Sequence, residues 1–263
     1  EVAARLVTSE ARQDARLAID PGVVVKFSGG GLETTFGADL YAEGLDGREV
    51  ILTSIRDSRY GGGGTFLTTG QAGSAAAAPG DWGGIFVGHA TRLGMDHAVV
   101  AFGGGEMNIE GTFATFNALE IHESKARVAH SVFEQNASGL GGQSGLDRAG
   151  RGFNRAATIF VRGSQPVLVD NVLLDNAGAA ISIDANSLSH GELADQGRST
   201  YGTGELANPL DAVTARADNE GPLVHGNRLD RNQVNGMQVR GTTLSTAGVW
   251  DDTDIVHVLR NET

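Results

Sequence analysis

Short apolar runs broken by asparagine recur along the chain. In "PVLVDNVLLDN" (Pro166 to Asn176), Val and Leu predict a buried strand, yet Asn171 and Asn176 interrupt it. An unpaired amide in an apolar interior costs about 1–3 kcal/mol, so these positions need partners. The register of neighbouring segments suggests where the partners come from. "LEIHESKARVAHSVFEQN" aligns with "IFVRGSQPVLVDNVLLDN" at an offset of 40, placing Leu119 and Ile121 on Ile159 and Val161, Ser131 on Asn171, and Asn136 on Asn176. "PLVHGNRLDRNQVNGMQV" follows at an offset of 56, with Asn227 on Asn171, Asn232 on Asn176, and Met237 and Val239 on Ile181 and Ile183.

A shorter period runs inside these copies. "IFV" at Ile159 recurs as "ISI" at Ile181, and "IFV" at Ile85 as "MNI" at Met107, each 22 residues on. The offsets of 40 and 56 are then one 22-residue coil plus 18 or 34 extra residues, housed in Gly-rich or polar stretches. Apolar strands of three to five β-branched residues are too short for helices. A repeat of this length predicts an all-β fold: a right-handed parallel β-helix, a solenoid of about 22-residue coils. Eight or so coils are expected, with long loops at about 56–80, 137–157 and 186–221 protruding. Successive coils stack at about 4.8 Å. Equivalent asparagines therefore lie over one another, and Asn136, Asn171, Asn176, Asn227 and Asn232 are read as a structural ladder. In that reading each amide donates to a carbonyl of its own coil, pairs with the asparagine above, and tolerates the left-handed backbone of a sharp corner. The other reading makes them ordinary loop residues; the shared apolar register favours the ladder.

The 263 residues are read as a single β-helix domain, with 1–16 as a capping helix or an extended lead-in. The start at Glu1 and the stop after "HVLRNET" are those expected of a piece of a longer or processed protein. Composition narrows partners more than fold. The net charge is −12, which argues against nucleic acid or an anionic membrane and leaves divalent cations open. No apolar run approaches the roughly 20 residues of a membrane span. There is no cysteine, so no disulfide framework exists.

Several segments also carry a resemblance. "LAIDPGVVVKF", "VILTSIRDSRYGGG", "PGDWGGIFV", "PLVHGNRLDRNQVNGMQVRG" and "VWDDTDIVHVL" resemble, in order, segments of very large secreted bacterial proteins with right-handed parallel β-helix repeats, within the pectate-lyase-like β-helix superfamily. The resemblance implies an extracellular or cell-surface module whose coils continue past "DDTDIVHV". It also implies an acidic, calcium-type loop near Gly61–Gly64, where this chain has "GGGGTFLTTGQAG" instead.

Three places carry candidate chemistry. In "VWDDTDIVHV", Asp251, Asp252 and Asp254 precede His257. Converging carboxylates suit Ca²⁺, and facing pairs suit glycoside cleavage. An acidic turn before a strand, with Trp250 on the coil edge, is the favoured reading. Asp57 and Asp81 flank the first long loop and could share a cation. Arg162 and Arg240 each occupy a "VRG" context, a solvated coil edge or part of a basic stripe. β-Helix lyases, by resemblance, need Ca²⁺ held by acids plus an Arg or Lys base; this chain has two Lys, Lys26 and Lys125. "NAS" at Asn136 and "NET" at Asn261 match the glycosylation pattern. The expected function is a non-catalytic structural or adhesive module of a bacterial surface or filamentous protein. It would require no cofactor, with Ca²⁺ as a candidate ion, and would self-associate through coil ends or bind cell-surface glycans. The alternative is a carbohydrate-active enzyme, a polysaccharide lyase or glycosidase.

Overall fold

The computed structural model describes residues 15–61, 75–109, 112–139, 154–191, 194–195, 197–198, 220–241, 244, 247–250 and 254–260. The strands come in rounds of three. The first round is β1 (Arg16–Ile19), β2 (Val24–Phe27) and β3 (Gly31–Thr34), and the second is β4 (Asp39–Glu43), β5 (Val50–Ser54) and β6 (Gly84–Val87). The third is β7 (Arg92–Asp96) and β8 (Ala98–Ala101), then a hairpin of β9 (Glu106–Ile109) and β10 (Thr112–Thr115), then β11 (Leu119–His122). The fourth is β12 (Lys125–Ala129), β13 (Val132–Glu134) and β14 (Ala157–Arg162). The fifth is β15 (Val167–Val169), β16 (Val172–Leu174) and β17 (Ala179–Asp184), closed by a 3₁₀ turn, Ala185–Leu188. The sixth is β18 (Leu223–His225), β19 (Arg228–Asp230) and β20 (Val234–Arg240), followed by β21 (His257–Arg260).

Each position in the round feeds its own sheet. The orders are β1-β4-β7-β12-β15-β18, β2-β5-β8-β13-β16-β19 and β3-β6-β11-β14-β17-β20-β21, and every pairing in all three is parallel. The chain is thus all-β, with three large parallel sheets, compatible with a parallel β-solenoid. Of the lead-in at 1–16, only Ala15 and Arg16 are described, and Arg16 opens β1.

Parallel pairing in register makes the core columnar, because a side chain meets its own equivalent one strand away. In the first sheet Ala42, Met95, Val128, Leu168 and Val224 stand in one row. Val25, Leu52, Val100, Phe133, Leu173 and Leu229 line the second. Leu32, Ile85, Leu119, Ile159, Ile181 and Met237 line the third. These rows meet in one buried cluster. Trp82 closes it near the start of the stack: its ring lies 4.2 Å from that of Phe27 at 8°, and Nε1–H donates to Ala101 O.

Two expectations need correction. Ile85–Val87 does not recur at Met107–Ile109. It pairs with Leu119–Ile121, and Met107–Ile109 belongs to the antiparallel β9–β10 hairpin. That hairpin buries Met107 and Ile109 against Phe86 and Phe116 on the outer face of the third sheet, so it copies an inner strand's apolar pattern without its place. Among the described residues the stack shows six strands in two sheets and seven in the third, against the eight or so coils expected. The "PGDWGGI" segment serves this junction. Gly84 holds φ 123, and a Cβ there would lie 2.4 Å from Asn117 O, so no larger residue fits.

The corners between sheets share one backbone device. Left-handed residues occupy equivalent corner places coil after coil: His97, His130, Asp170 and Gly226 at the first corner, Phe102, Gln135, Asp175 and Arg231 at the second, and Ala90, Glu123 and Gly163 at the third. At the first two corners each precedes, rather than is, the ladder residue. The expected left-handed asparagine is therefore displaced by one position. A left-handed non-glycine residue costs about 1–2 kcal/mol. Among the described residues no side-chain hydrogen bond of Gln135 offsets this. Gln135→Gly should leave stability unchanged or raise it by up to about 1 kcal/mol, and Gln135→Val should lower it by about 1–2 kcal/mol, read from urea unfolding midpoints.

Candidate functional site

The asparagines sit at two corners of the stack. Asn136, Asn171 and Asn176 are buried, and Asn227 and Asn232 half-buried. In the second corner, Asn176 Oδ1 accepts from both the backbone N–H and the Nδ2 of Asn136, at 3.1 and 2.9 Å. Asn232 Oδ1 does the same for Asn176, at 3.3 and 2.8 Å. In the first corner, Asn227 Oδ1 takes the N–H and Nδ2 of Asn171, both at 3.0 Å, and Asn171 Oδ1 takes the N–H of Ser131 at 3.0 Å. The Nδ2 groups donate to the preceding coil, not their own. Asn171 reaches Val128 O, Asn176 Phe133 O, Asn227 Leu168 O and Asn232 Leu173 O, all at 2.7–2.9 Å. Each side chain thus clamps two backbone groups of the coil before it.

The columns begin and end differently. Ala98 and Gly103 head them, offering only a backbone N–H, which Ser131 Oγ and Asn136 Oδ1 accept. The second column closes on Asn235, whose Oδ1 accepts from the N–H and Nδ2 of Asn232 at 3.0 and 2.9 Å. Because Asn136 is buried in this network, the "NAS" pattern there is not a surface acceptor. "NET" at Asn261 lies outside the described residues.

Asp251 and Asp252 also lie outside them. Asp254 is described and is partnered within the protein: Oδ2 accepts from Gly226 N–H at 2.7 Å and stands 3.3 Å from His225 Nδ1. Trp250 stacks on His257 at 5.3 Å and 7°. Burial pushes the His257 imidazole below its ordinary pKa.

Asp57 and Asp81 do not share a cation position, because each already faces an arginine. Asp57 accepts from Arg59 Nε and Nη2, both at 2.9 Å, and from Thr53 Oγ1 at 2.7 Å. Asp81 accepts from Ser54 Oγ and from Arg56 Nη1 at 3.1 Å. Arg162 and Arg240 do not form a solvated edge. Arg240 is buried, lies 4.1 Å over the Phe160 ring, and donates to Ser182 Oγ and Val161 O. Arg162 faces Glu123 at 3.8 Å.

Two polar clusters were not foreseen. Under the hairpin, buried Glu120 Oε1 accepts from Asn117 N–H, Asn117 Nδ2 and Asn154 Nδ2, each at 2.8 Å, and Oε2 lies 2.8 Å from His122 Nε2. His122 Nδ1 is buried with no hydrogen-bond partner among the described residues. It borders a cavity of about 70 Å³ lined by Phe36, Phe86, His89, Glu123 and Arg162. The second cluster is at the first corner. Buried Asp96 lies 2.5 Å from His97 Nδ1 and 3.0 Å from His130 Nδ1 through one oxygen, and its other oxygen meets Arg127. Arg127 is gripped in turn by buried Asp195 through two hydrogen bonds. Burial pushes the Asp96 carboxyl up, but His130 and Arg127 outweigh it and hold it at about 2. The Asp96 hydrogen bond, against burial, raises His130. The readable signal was the alignment of "DHAVVAF" over "AHSVFEQ", which puts His97 over His130 at an offset of 33.

No protein-family model matches the chain, and neither a curated protein nor a solved structure does. The geometry itself defines the class: an all-β protein of stacked parallel sheets, laddered by asparagine at its corners.

Asn176→Ala should strand the Asn136 N–H and Nδ2 and the Phe133 carbonyl, lowering stability by about 1–3 kcal/mol in chemical denaturation. Asn176→Asp, which deletes the donor to Phe133 O, should lower it as well. Asp57 offers a separate acid test. Burial raises its pKa, but the hydrogen bonds from Arg59 and Thr53 prevail and lower it. A depressed carboxyl contributes stability above its unfolded pKa and loses it as pH falls through the folded one. The thermal midpoint should therefore fall between about pH 5 and pH 2, and less steeply in Asp57→Asn.

Proposed function

We propose that the chain is a non-catalytic extracellular module, a right-handed parallel β-helix of about 22-residue coils that serves a structural or adhesive role in a large bacterial surface or filamentous protein. The coil length rests on the shortest uninterrupted returns: Arg16 to Asp39 spans 23 residues and Ile159 to Ile181 spans 22. The single observation that carries the reading is the use made of the polar groups. Corner amides and hydroxyls bond coil to coil, and the arginines named as a basic stripe are committed to Phe160, Ser182, Val161 and Glu123.

The last described strand of the third sheet suits an end-to-end role. On and beside β21, Val256 and Leu259 are 65% and 69% exposed, at the edge of the third sheet. An exposed apolar strand edge pairs readily with another strand. That exposure is what favours self-association through coil ends over contact with cell-surface glycans. No cofactor is required for such a role, and Ca²⁺ is the ion that Asp251, Asp252 and Asp254 would take.

A lyase or glycosidase is the second reading. The Glu120–His122 pair favours it, since a carboxylate-oriented imidazole with a free lone pair is built like a general base. Its cavity of about 70 Å³ is far below the roughly 300–1,000 Å³ of ligand pockets. The pair is therefore assigned to support of the hairpin.

Pectate, alginate, hyaluronan and neutral glycans, incubated with the chain with and without Ca²⁺, should gain no unsaturated or reducing ends. New ends abolished by His122→Ala, Asp252→Ala or Arg240→Ala would establish the enzyme instead.

A further inference from the structure

We propose that Asp96, His97 and His130 form a divalent transition-metal site of the Zn²⁺ class, which staples two successive coils at the first corner. The proposal begins with the backbone. Asp96 ends β7, and the left-handed turn that follows throws the side chain of His97 outward. One coil on, His130 makes the same turn at φ 48, against φ 43 for His97. Register places Asp96 beside Ala129, so the two histidines are equivalents in adjacent coils, and their rings stack at 4.8 Å. Histidine is among the few residues that enter the left-handed region readily. The corner thus brings together two imidazoles 33 residues apart in the chain.

The donor atoms converge. Asp96, His97 and His130 each offer a ligand atom within 4.8 Å of the others, and Asp96 Oδ1 lies 2.5 Å from His97 Nδ1 and 3.0 Å from His130 Nδ1. In the metal-free corner the imidazoles share Oδ1 by hydrogen bonding. Each neutral ring carries its proton on Nε2 when it ligates, so the ion takes the Nδ1 lone pairs, with Zn–N and Zn–O distances of about 2.0–2.2 Å. The 2.5 Å separation of Asp96 and His97 then opens to about 3.3 Å. The imidazoles are 27% and 32% exposed, so both rings can turn and solvent can reach the remaining coordination positions.

The surroundings are those a metal ligand needs. Arg127, fixed by Asp195, holds the other Asp96 oxygen and leaves Oδ1 facing the histidines. The far nitrogen of His130, Nε2, faces Asp170 Oδ2 at 3.8 Å, the position of the carboxylate that commonly orients a ligating histidine. With neutral imidazoles the corner holds four carboxylates, Asp96, Asp170, Asp195 and the register neighbour Glu43, against two guanidiniums, Arg127 and Arg198. A divalent cation balances the two excess charges. Two imidazoles and one carboxylate select Zn²⁺, Co²⁺ or Ni²⁺ over Ca²⁺, which wants six or more oxygens.

The test uses tag-free chain stripped with EDTA, titrated with Co²⁺ by visible absorption and with Zn²⁺ by calorimetry. One ion per chain is expected, with Zn²⁺ displacing Co²⁺. His97→Asn and His130→Asn keep a residue that tolerates the left-handed turn. Each should weaken Zn²⁺ binding at least about 100-fold, and Asp170→Asn by about 10-fold. Metal-free circular dichroism should match wild type in all three variants, and Zn²⁺ should raise the thermal midpoint most in wild type, less in Asp170→Asn and least in the two histidine variants. Absence of stoichiometric binding, binding of Ca²⁺ in preference to Zn²⁺, or Zn²⁺ binding untouched by both histidine variants would overturn the site. If one variant misfolds, the other with Asp170→Asn still decides the matter.

Discussion

Everything in this protein depends on one constraint: a strand in a parallel stack meets its own equivalent about 4.8 Å away. Side chains are thereby matched like with like. For Leu, Ile and Val this is simple, since aliphatic groups pack on aliphatic groups and the columns of Leu168 or Ile159 follow. For a polar residue it is a severe demand, because its neighbour has the same donors and acceptors. Asparagine meets the demand because it carries both. Its oxygen serves the coil before it twice, and its nitrogen serves a carbonyl of that same coil.

The same constraint shapes the charged corners. Stacking like charges is unfavourable, so outward residues at a corner alternate or share. Asp175 lies under Arg231, which grips it with two hydrogen bonds. Buried Asp96 is shared by a guanidinium and two imidazoles. Glu120 gathers three amide or backbone donors and one imidazole beneath the hairpin. Each of these three carboxylates is met by a donor from another coil or an inserted segment.

The ladder positions could be read in the chain because aliphatic residues and asparagines kept one register through the offsets of 40 and 56. The hairpin could not, because Met107 and Ile109 face inward onto Phe86 and so carry the apolar signature of a core strand. The left-handed places were also hidden. Their backbone is fixed by the corner, and Phe102, Gln135, Asp175 and Arg231 share no chemistry that would mark them. The partners of Asp57, Asp81 and Arg240 were illegible for another reason. Arg59, Arg56 and Phe160 reach them through geometry that a repeat alignment does not contain.

The asparagine columns have a direction. The Oδ1 of Asn171, Asn176, Asn227 and Asn232 accepts from the coil before it, the heads at Ala98 and Gly103 bring no polar side chain of their own, and Asn235 supplies the missing oxygen at the far end of the second column. Any interior coil therefore carries on one side the surface that it accepts on the other. A gene duplication that copied one such coil in frame would fit itself, with no compensating change at either junction. The asparagine bonds thus set the order in which coils face one another and leave their number open.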